Sequence, residues 1–319
     1  VMAALEEAEK PLICIGGGVF AAHAENEIRE LADLMQIPVI TTMMGISVFP
    51  DDDQLFCGMI GTHGVKMANA AVNECDVLFL VGARVGDRAV KTPLALEKTT
   101  KIIHIDIDPA EIGKNIGADL PLVGDAKLVL QQMTELAKPM KHDEWIAHIK
   151  TLGGERKYVE PAKGTVNPRV FIDRLAKKMP ANVTVVADVG QNQIWTCTEY
   201  KFRKEGRLLT SGGMGTMGYS VPAAIGAKMA DNSRATVAIC GDGAFQMSFM
   251  ELATAVQFGV DIKVVVMTNN RLGMVRELQT NGYHDRQTAV FLDGSPDFIK
   301  LAEAYGIPAM RVYDDDTME

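Results

Sequence analysis

The stretch that decides the fold runs from Ala235 to Asn270 and reads ATVAICGDGAFQMSFMELATAVQFGVDIKVVVMTNN. The apolar runs Ala235–Cys240 and Ile262–Met267 predict two strands, and the segment between them predicts a helix over about Ala244–Gly259. In such a β-α-β unit the strands lie parallel in one sheet, and their carboxyl ends meet at the same edge. The pattern therefore predicts an α/β fold with a doubly wound parallel sheet.

An acidic side chain follows the first of these strands, and a carboxamide follows the second. Asp242 and Asn269 are 269 − 242 = 27 positions apart, and neighbouring strands would bring them to one crevice. Mg²⁺ prefers oxygen ligands and completes its octahedral shell with water and substrate phosphates. Gly241 and Gly243 leave main-chain N–H groups open at a helix N-terminus, where a diphosphate is favoured. The alternative is a plain glycine turn in a generic domain, because short glycine motifs also occur by chance.

Composition and charge exclude several classes of protein. The 319 residues are enough for about two domains. A net charge of −9 and a pI near 5.3 argue against a nucleic-acid partner, and no apolar run approaches the ~18 residues that a membrane span needs. The five cysteines are odd in number and lack CxxC spacing, which predicts neither a disulfide framework nor a zinc site. We expect a reducing, cytoplasmic location.

The chain divides into two α/β blocks. Alternating strand and helix patterns define a first domain at 1–137, a Lys-, Pro- and Glu-rich linker follows at 138–167, and a second domain takes 168–319. The last strand is predicted at Met310–Tyr313. Because the chain starts with Val and stops in what reads as the start of a helix, we expect it to be a piece of a longer protein.

Gly213 to Gly218 reads GMGTMG, a GxGxxG string between a strand and a helix. Such a string can be a dinucleotide fingerprint, which expects an acidic residue about 20 positions on, at the end of the next strand. That strand ends in Asp242, 242 − 213 = 29 positions on and between two glycines. A ribose-binding acid needs no such glycines, so this spacing favours the metal interpretation over NAD.

The second block resembles the diphosphate-binding domain of acetolactate synthase (acetohydroxyacid synthase), a thiamine-diphosphate enzyme family. The matching strings are Asp188–Gln193, Ser211–Gly218, Pro222–Gly226, Gly241–Gly243 and Asn269–Val275. The first block resembles the central domain of the same family through Gly61–Gly64, Gly82–Arg84, Asp87–Arg88 and His104–Pro109. Nearly the whole chain is covered.

The resemblance assigns cofactor roles residue by residue. The metal ligands would be Asp242, Asn269 and the main-chain carbonyl of Arg271. The thiamine-diphosphate contacts would come from Gly190, Gln191, Asn192, Gln193, Gly215, Met217, Gly241, Asp242, Gly243, Ala244, Asn269, Gly273 and Met274. Met217 would wedge between the two cofactor rings, although a core methionine at a helix start is the alternative.

The resemblance also implies an activity. Members of the family decarboxylate pyruvate and add the hydroxyethyl unit to a second 2-ketoacid, giving acetolactate or acetohydroxybutyrate for branched-chain amino-acid biosynthesis. The proton relay starts at a glutamate in an N-terminal pyrimidine domain, across a subunit interface. That domain would precede Val1, so no catalytic residue is expected within this chain and the chain alone should be inactive. Partners would be small 2-ketoacids, a second or further copies in a homodimer or homotetramer, and a regulatory small subunit.

The substrate side matches the family less closely. Arg88 would bind the carboxylate of the second ketoacid, the alternative being a surface salt bridge with Asp87. Met274 and Leu278 would line the substrate pocket, with Leu278 standing where the family has Trp. The other departures from the family pattern are Asn192 for His, Thr62 for Met and Val85-Gly86 for Phe-Asp.

A structural FAD is the third implied cofactor. Its candidate contacts are Gly18, Gly61, His63, Gly82, Arg84, Asp106, Ile107 and Asp125. Plain turn glycines and a hydrogen-bonding loop histidine are the alternatives for Gly16–Gly18 and His63. Catabolic acetolactate synthases share the fold and lack FAD.

Two other hypotheses stay open at the level of sequence. One is another thiamine-diphosphate enzyme on this scaffold, of the pyruvate oxidase, glyoxylate carboligase or sulfoacetaldehyde acetyltransferase type. The other is a non-catalytic module that uses its glycine loops for NAD or FAD alone.

Overall fold

A computed structural model describes residues 1–154, 158–314 and 317. The chain forms two compact units, Val1–Arg156 and Lys157–Glu319. Among the described residues, no helix has both the length and the apolar character to cross a bilayer.

The first unit is built on a six-stranded parallel sheet. Its strands are β1 Pro11–Ile15, β2 Val39–Thr41, β3 Phe56–Met59, β4 Val77–Val81, β5 Lys101–Asp106 and β6 Leu120–Val123. They lie in the order β3-β2-β1-β4-β5-β6. The helices are α1 Met2–Glu6, α2 Gly18–Ala21, α3 Glu25–Met35, α4 Lys66–Glu74, α5 Pro93–Leu96, α6 Ala126–Leu136 and α7 Asp143–Leu152.

This parallel sheet is buried on both of its faces. Every residue of β1 and β4 is buried, as expected of strands that are covered by helices on both sides. Helix α3 buries Ile28, Leu31 and Met35, the i, i+3, i+7 stripe of an amphipathic helix. The sequence predicts strands at Pro11–Ile15 and Val77–Val81 and a helix across about Glu25–Met35, and the structure confirms these bounds.

The second unit has a four-stranded parallel sheet. Its strands are β7 Thr184–Ala187, β8 Arg207–Thr210, β9 Thr236–Gly241 and β10 Lys263–Met267, in the order β10-β9-β7-β8. The helices are α8 Pro168–Lys178, α9 Gln191–Glu199, α10 Ser220–Ala230, α11 Asp242–Gln246, α12 Leu252–Gln257, α13 Gly273–Gly282 and α14 Phe298–Ala304. Two doubly wound parallel sheets are therefore present, as the sequence predicts.

Helix α7 packs on the first unit. Helix α7 lies within the stretch predicted as a linker, but it packs on α4 and buries Trp145 and Ile149 in the core of the first unit. The Trp145 indole N–H donates to the Pro11 carbonyl at 3.0 Å. The compact first unit, Val1–Arg156, therefore includes this helix.

Several predicted elements are corrected. The single helix over Ala244–Gly259 starts earlier, at Asp242, and is broken by a 3-10 turn at Phe249–Glu251. Met310–Tyr313 forms no strand. The sequence also missed β3 and β6, the two edge strands, because Gly58 and Pro121 within them weaken the strand pattern.

Candidate functional site

The candidate site lies where the second sheet changes its winding direction. From β7 the chain passes through α9 to β8 on one side, whereas β9 lies on the other side of β7 and is followed by β10. The segments after β7 and β9 therefore open into the crevice at the switch point, where open α/β sheets bind ligands. These segments are Gly190–Gln193 and Gly241–Gly243, both predicted from sequence.

Asp242 is the charged centre of this crevice. Its carboxylate is 1% exposed and accepts the Gly243 N–H at 2.8 Å, the Asn269 N–H at 3.1 Å and the Asn270 N–H at 2.6 Å. The pairing of Gly241 with Met267 in β9 and β10 places the two strand ends side by side. The structure thus brings Asp242 and Asn269 together, as the β-α-β pattern predicts.

The segment after β10 supplies oxygen atoms near this carboxylate. The Asn269 side-chain oxygen accepts the Arg271 N–H at 2.9 Å, and Asn270 adopts a left-handed φ of 53°. Arg271 pairs with Phe291 in an isolated bridge, whose two hydrogen bonds use the Leu272 N–H and the Asn270 carbonyl. Those bonds leave the Arg271 carbonyl out of the bridge. The oxygen atoms that could bind a metal here belong to a carboxylate, a side-chain amide and a main-chain carbonyl. These are the hard ligands that Mg²⁺ prefers.

The described residues contain no cluster of three or more His, Cys, Asp or Glu side chains that could hold a metal. The set predicted from sequence has one residue of these types, Asp242. A cation here would therefore depend on amide and main-chain oxygens, and on a ligand that brings phosphate oxygens of its own.

Helix α9 starts directly after β7 and points its N-terminus into the crevice. Gly190 precedes it with φ 143°, a backbone conformation that favours glycine, and a Cβ there would lie 2.7 Å from the Asn192 Oδ1. The Gln193 N–H bonds the Gly190 carbonyl at 3.1 Å. This turn leaves the first main-chain N–H groups of the helix directed at the crevice, an arrangement that favours an anion.

Two side chains of this loop are bonded to the sheet and not directed into the crevice. The Asn192 amide group donates to the Asp188 carbonyl at 2.8 Å and to the Ile239 carbonyl at 3.2 Å. Gln193 donates to the Thr210 hydroxyl at 2.6 Å. Both side chains are buried and tie α9 to the sheet. The Gln193 N–H bonds the Gly190 carbonyl, so contact with an anion is left to the other main-chain N–H groups of the loop.

Gln191 joins this loop to the segment after β10. Its side chain donates to a Glu277 carboxylate oxygen at 3.2 Å and accepts from the Asn269 amide at 3.5 Å. Glu277 lies on α13, the helix that also carries Met274 and Leu278. Met274 is half-buried, whereas Leu278 is 61% exposed.

The glycine run between β8 and α10 is folded against the same crevice. Gly215 and Gly218 have φ of 66° and 85°. Met217 reaches over the start of α11, where its Cε would lie 3.4 Å from a Cβ on Gly243. It also packs on the cluster that contains Phe245 and Leu252.

This geometry speaks against the dinucleotide interpretation of Gly213–Gly218. A βαβ fingerprint needs the strand before the glycine loop to lie beside the strand that carries the ribose-binding acid. Here β8 precedes the loop and β9 leads to Asp242, but β7 lies between them. Asp242 is therefore placed for the crevice between β7 and β9 and not for a ribose beside β8.

Asp188 was not among the candidate residues predicted from the sequence, although it follows β7 at this crevice. It follows β7, is fully buried, and accepts the Val189 N–H at 2.8 Å, the Gly218 N–H at 3.0 Å and the Ser220 N–H at 2.8 Å. Its position at a strand end beside a glycine loop was a signal that could have found it. Burial raises the pKa of the neighbouring Cys240 thiol, and the charges of Asp188 and Asp242 add to that effect.

An apolar cavity adjoins this crevice. Its volume is about 1680 Å³, and its wall includes Trp195, Met217, Leu272 and Met274. Asp242 and Asn269 lie on the same wall. A few convergent polar groups in a mostly apolar cleft are the usual composition of a small-molecule site.

The first unit aligns its own candidate residues at one edge of the sheet. The winding direction changes between β1 and β4, and there the Gly18 N–H donates to the Gly82 carbonyl at 3.0 Å. A Cβ on Gly18 would lie 2.7 Å from the Gly82 Cα, so these two loops approach as only glycine allows. Gly61 has φ 111°, and a Cβ on it would lie 2.5 Å from the Arg88 carbonyl oxygen.

The other candidates of this unit differ in exposure. His63, Arg84 and Arg88 are exposed, and Ile107 is 70% exposed. Within the described residues, Arg88 forms no ion pair with Asp87, so the salt-bridge alternative is not supported. The half-buried carboxylates have local partners, the Asp108 N–H for Asp106 and the Leu128 N–H, at the start of α6, for Asp125.

The buried titratable groups of this unit are not among the candidate residues described above. His104 on β5 is 1% exposed, and neither ring nitrogen has a hydrogen-bond partner among the described residues. Burial lowers its pKa, an effect that the nearby Asp106 and Glu111 carboxylates partly offset. The three cysteines of this unit, like the two of the second unit, are unpaired and buried. Burial raises the pKa of Cys14 to about 12, which makes it an unreactive core residue.

Comparison with known proteins gives a consistent picture. Two family models match, "Thiamine pyrophosphate enzyme, central domain" over residues 1–133 and "Thiamine pyrophosphate enzyme, C-terminal TPP binding domain" over residues 188–319. The chain is 41% identical to a probable acetolactate synthase large subunit of Methanocaldococcus jannaschii, an alignment covering 99% of this chain and 55% of that protein.

Two bacterial proteins extend this likeness. An acetolactate synthase large subunit of Corynebacterium glutamicum is 40% identical, over 96% of this chain and 51% of its own length. One of Lactococcus lactis is 36% identical, over 98% of this chain and 55% of its own length. The chain therefore spans about half the length of the curated relatives that it matches.

Proposed function

The chain belongs to the thiamine pyrophosphate enzymes, and from this premise we propose that the full-length protein is an acetolactate synthase. It would decarboxylate pyruvate and transfer the hydroxyethyl unit to a second 2-ketoacid, giving acetolactate or acetohydroxybutyrate. The observation that carries the proposal is the meeting of the Asp242 carboxylate, the main chain of Asn269 and the start of α9 in one crevice.

The crevice suits a diphosphate with a magnesium ion. Gly190 and the first turn of α9 would bind phosphate oxygens through main-chain N–H groups, supported by the helix dipole. Asp242, the Asn269 amide oxygen and the Arg271 carbonyl would complete the protein part of a Mg²⁺ site. The Asn269 N–H already donates to the Asp242 carboxylate at 3.1 Å, so these two proposed ligand residues are neighbours in the crevice.

Thiamine diphosphate, when bound, supplies the nucleophilic carbon and the electron sink of the reaction. The residues of this chain would hold and orient it. Met217 would support the ring end of the cofactor, since its Cε lies over the start of α11 beside Gly243. Met274 and Leu278 on α13 would shape the acceptor pocket, and Arg88 would bind the acceptor carboxylate.

We also propose FAD as a structural cofactor of the first unit. The candidate contacts share the carboxyl edge of its sheet, with Gly18 and Gly82 at the switch point and Ile107 exposed beside them. The close approach of the two glycine loops would let an extended dinucleotide pass along the main chain. His63, Arg84, Gly61, Asp106 and Asp125 complete this proposed set.

The assembly of the protein is a proposal as well. The names of several relatives speak of a large subunit, and we propose that this protein also accepts a regulatory small subunit. Active sites would lie at the interface of a homodimer or homotetramer. The cytoplasmic location stays a prediction of the sequence.

Product analysis and calorimetry test the function. Full-length protein supplied with pyruvate, thiamine diphosphate and Mg²⁺ should release acetolactate, whereas acetyl phosphate or tartronate semialdehyde from suitable substrates would identify another enzyme of the family. Titration of thiamine diphosphate should show binding that EDTA abolishes. Binding of NAD with no metal-dependent diphosphate binding would reject the proposal.

A further inference from the structure

Asp188 is a buried carboxylate that the proposed chemistry does not use. It is fully buried at the end of β7, and its three partners are the main-chain N–H groups of Val189, Gly218 and Ser220. Among the described residues it has no cationic partner. A buried carboxylate is costly unless hydrogen bonds compensate for the lost water, and these three N–H groups provide that compensation.

Two of these bonds reach across the fold. Gly218 is 30 positions from Asp188 and Ser220 is 32, and both belong to the segment that enters α10. The residue before α10, Tyr219, offers no side-chain cap to the helix. Asp188, which follows β7, caps the helix instead. Its carboxylate accepts the Ser220 N–H at the N-terminus of this 11-residue helix, where the helix dipole favours a negative charge.

The position of Met217 depends on this contact. Gly218 follows Met217 and is held on one side by Asp188, while a Cβ on Gly218 would lie only 3.0 Å from the Met247 Cβ on the other. The Met217 Cε in turn lies beside Gly243 at the start of α11. Asp188 thus links the strand before the Gly190 loop to the methionine that faces the Asp242 loop.

We propose that Asp188 is a positioning residue that sets the orientation of the bound thiamine diphosphate by holding Gly218 and, through it, Met217. The inference rests on the proposed function. The diphosphate end of the cofactor would be bound elsewhere, by α9 and by the metal at Asp242. Loss of the Asp188 carboxylate should therefore disturb the ring end of the cofactor and leave the diphosphate contacts in place.

The test is Asp188→Asn in the full-length protein. The amide keeps the shape of the side chain, but its NH₂ group would face the Gly218 or the Ser220 N–H, a donor against a donor. We expect the affinity for thiamine diphosphate with Mg²⁺ to fall by less than about tenfold. The kcat for acetolactate formation should fall by roughly 10- to 100-fold, as for a misplaced reacting group, and the circular dichroism induced in the bound cofactor should change.

A matched control is Glu199→Gln, which neutralises another buried carboxylate of the same unit. Glu199 is 2% exposed and accepts from Arg169 at 2.6 Å and from the Tyr158 hydroxyl at 3.1 Å. This variant should lose stability, whereas the induced circular dichroism and the kcat should remain those of the wild type. The same changes in both variants would mean that Asp188 acts only through general stability, which would overturn the inference.

Hydrogen exchange of the wild type tests the contact without any variant. The Gly218 and Ser220 amides should exchange far more slowly than those of Gly213 and Met214 in the same loop, and fast exchange at both would refute the role of Asp188. If Asp188→Asn binds the cofactor with wild-type kcat and circular dichroism, the inference fails but the proposed function stands. If the wild type binds no thiamine diphosphate, the proposed function itself fails.

Discussion

Replacement of Asp242 should separate its structural role from its proposed metal role. Asp242→Ala removes the acceptor of three main-chain N–H groups. Asn269 and Asn270 are exposed, so water can replace two of these bonds, while the half-buried Gly243 N–H is served less well. We therefore expect a loss of about 1.5–3 kcal/mol in the free energy of unfolding, the value of one hydrogen bond to a charged group.

The effect on the cofactor should be larger. Removing one partner of a buried charged pair costs about 3–5 kcal/mol, which corresponds to a roughly 150- to 5,000-fold weaker Mg²⁺-dependent affinity for thiamine diphosphate. Asp242→Asn keeps the shape of the side chain and one acceptor oxygen but loses the charge. It should therefore lose less stability than Asp242→Ala and a similar share of the cofactor affinity.

Calorimetric titration of thiamine diphosphate into full-length protein, with Mg²⁺ or with EDTA, measures the affinity, and denaturant unfolding measures the stability. Asp231→Asn is the matched control, because Asp231 is exposed and its carboxylate only bonds Ser233 within a turn. Unchanged Mg²⁺-dependent affinity in both Asp242 variants would refute the metal assignment. Loss of affinity in the Asp231 control would show that the assay reports stability alone.

Three other residues and the chain itself carry further predictions. Leu278→Trp should shift products toward acetohydroxybutyrate in a competition assay with pyruvate and 2-ketobutyrate. The rigid indole would contact the additional methylene of 2-ketobutyrate, and one methylene in an apolar pocket changes the relative activation free energy by ~1–3 kcal/mol. An unchanged product ratio would refute this. The 319-residue chain alone should release no acetolactate from pyruvate, and turnover by it would contradict the expected need for a further domain. Burial lowers the pKa of His104 from 6.5, so the imidazole takes up a proton at a higher pH in the unfolded state than in the folded state. The free energy of unfolding should therefore decrease as the pH falls below about 6.5, by at most roughly 1.4 kcal/mol per pH unit. His104→Leu should remove that slope in denaturant titrations, and a slope that persists would point to another group. Gly190→Ala should destabilise the second unit by more than about 1 kcal/mol, since φ is 143° and the new Cβ would meet Asn192.

Much of the fold could be predicted because its signals are local. Strands β1 and β4 and helix α3 are confirmed at their predicted bounds, since each has an uninterrupted apolar run or stripe. Edge strands were missed where a glycine or proline interrupts the run, as with Pro121 in β6. The sequence predicts a short helix at Asp143–Lys150 but assigns it to the linker, because only tertiary packing shows that Trp145 is buried in the first unit.

The sequence by itself determined that Asp242 and Asn269 meet. Parallel strands joined by a helix bring their carboxyl ends to one edge, and this rule needs only the strand pattern and the residues that follow each strand. The family resemblance pointed to Gly190–Gln193 as a diphosphate loop, but the start of α9 directly after Gly190 and the left-handed φ of 143° at that glycine came only from the structure.

Only the tertiary structure decided where the polar side chains around this point are directed. Asn192 bonds Ile239, 47 positions away, Gln193 bonds Thr210, 17 positions away, and Asp188 bonds Ser220, 32 positions away. Hydrogen-bond partners are chosen by distance and angle after the sheet and helices have packed, and no periodicity in the chain records that choice. For this reason the sequence could locate the crevice but could not show which of its polar residues face a ligand and which hold the fold.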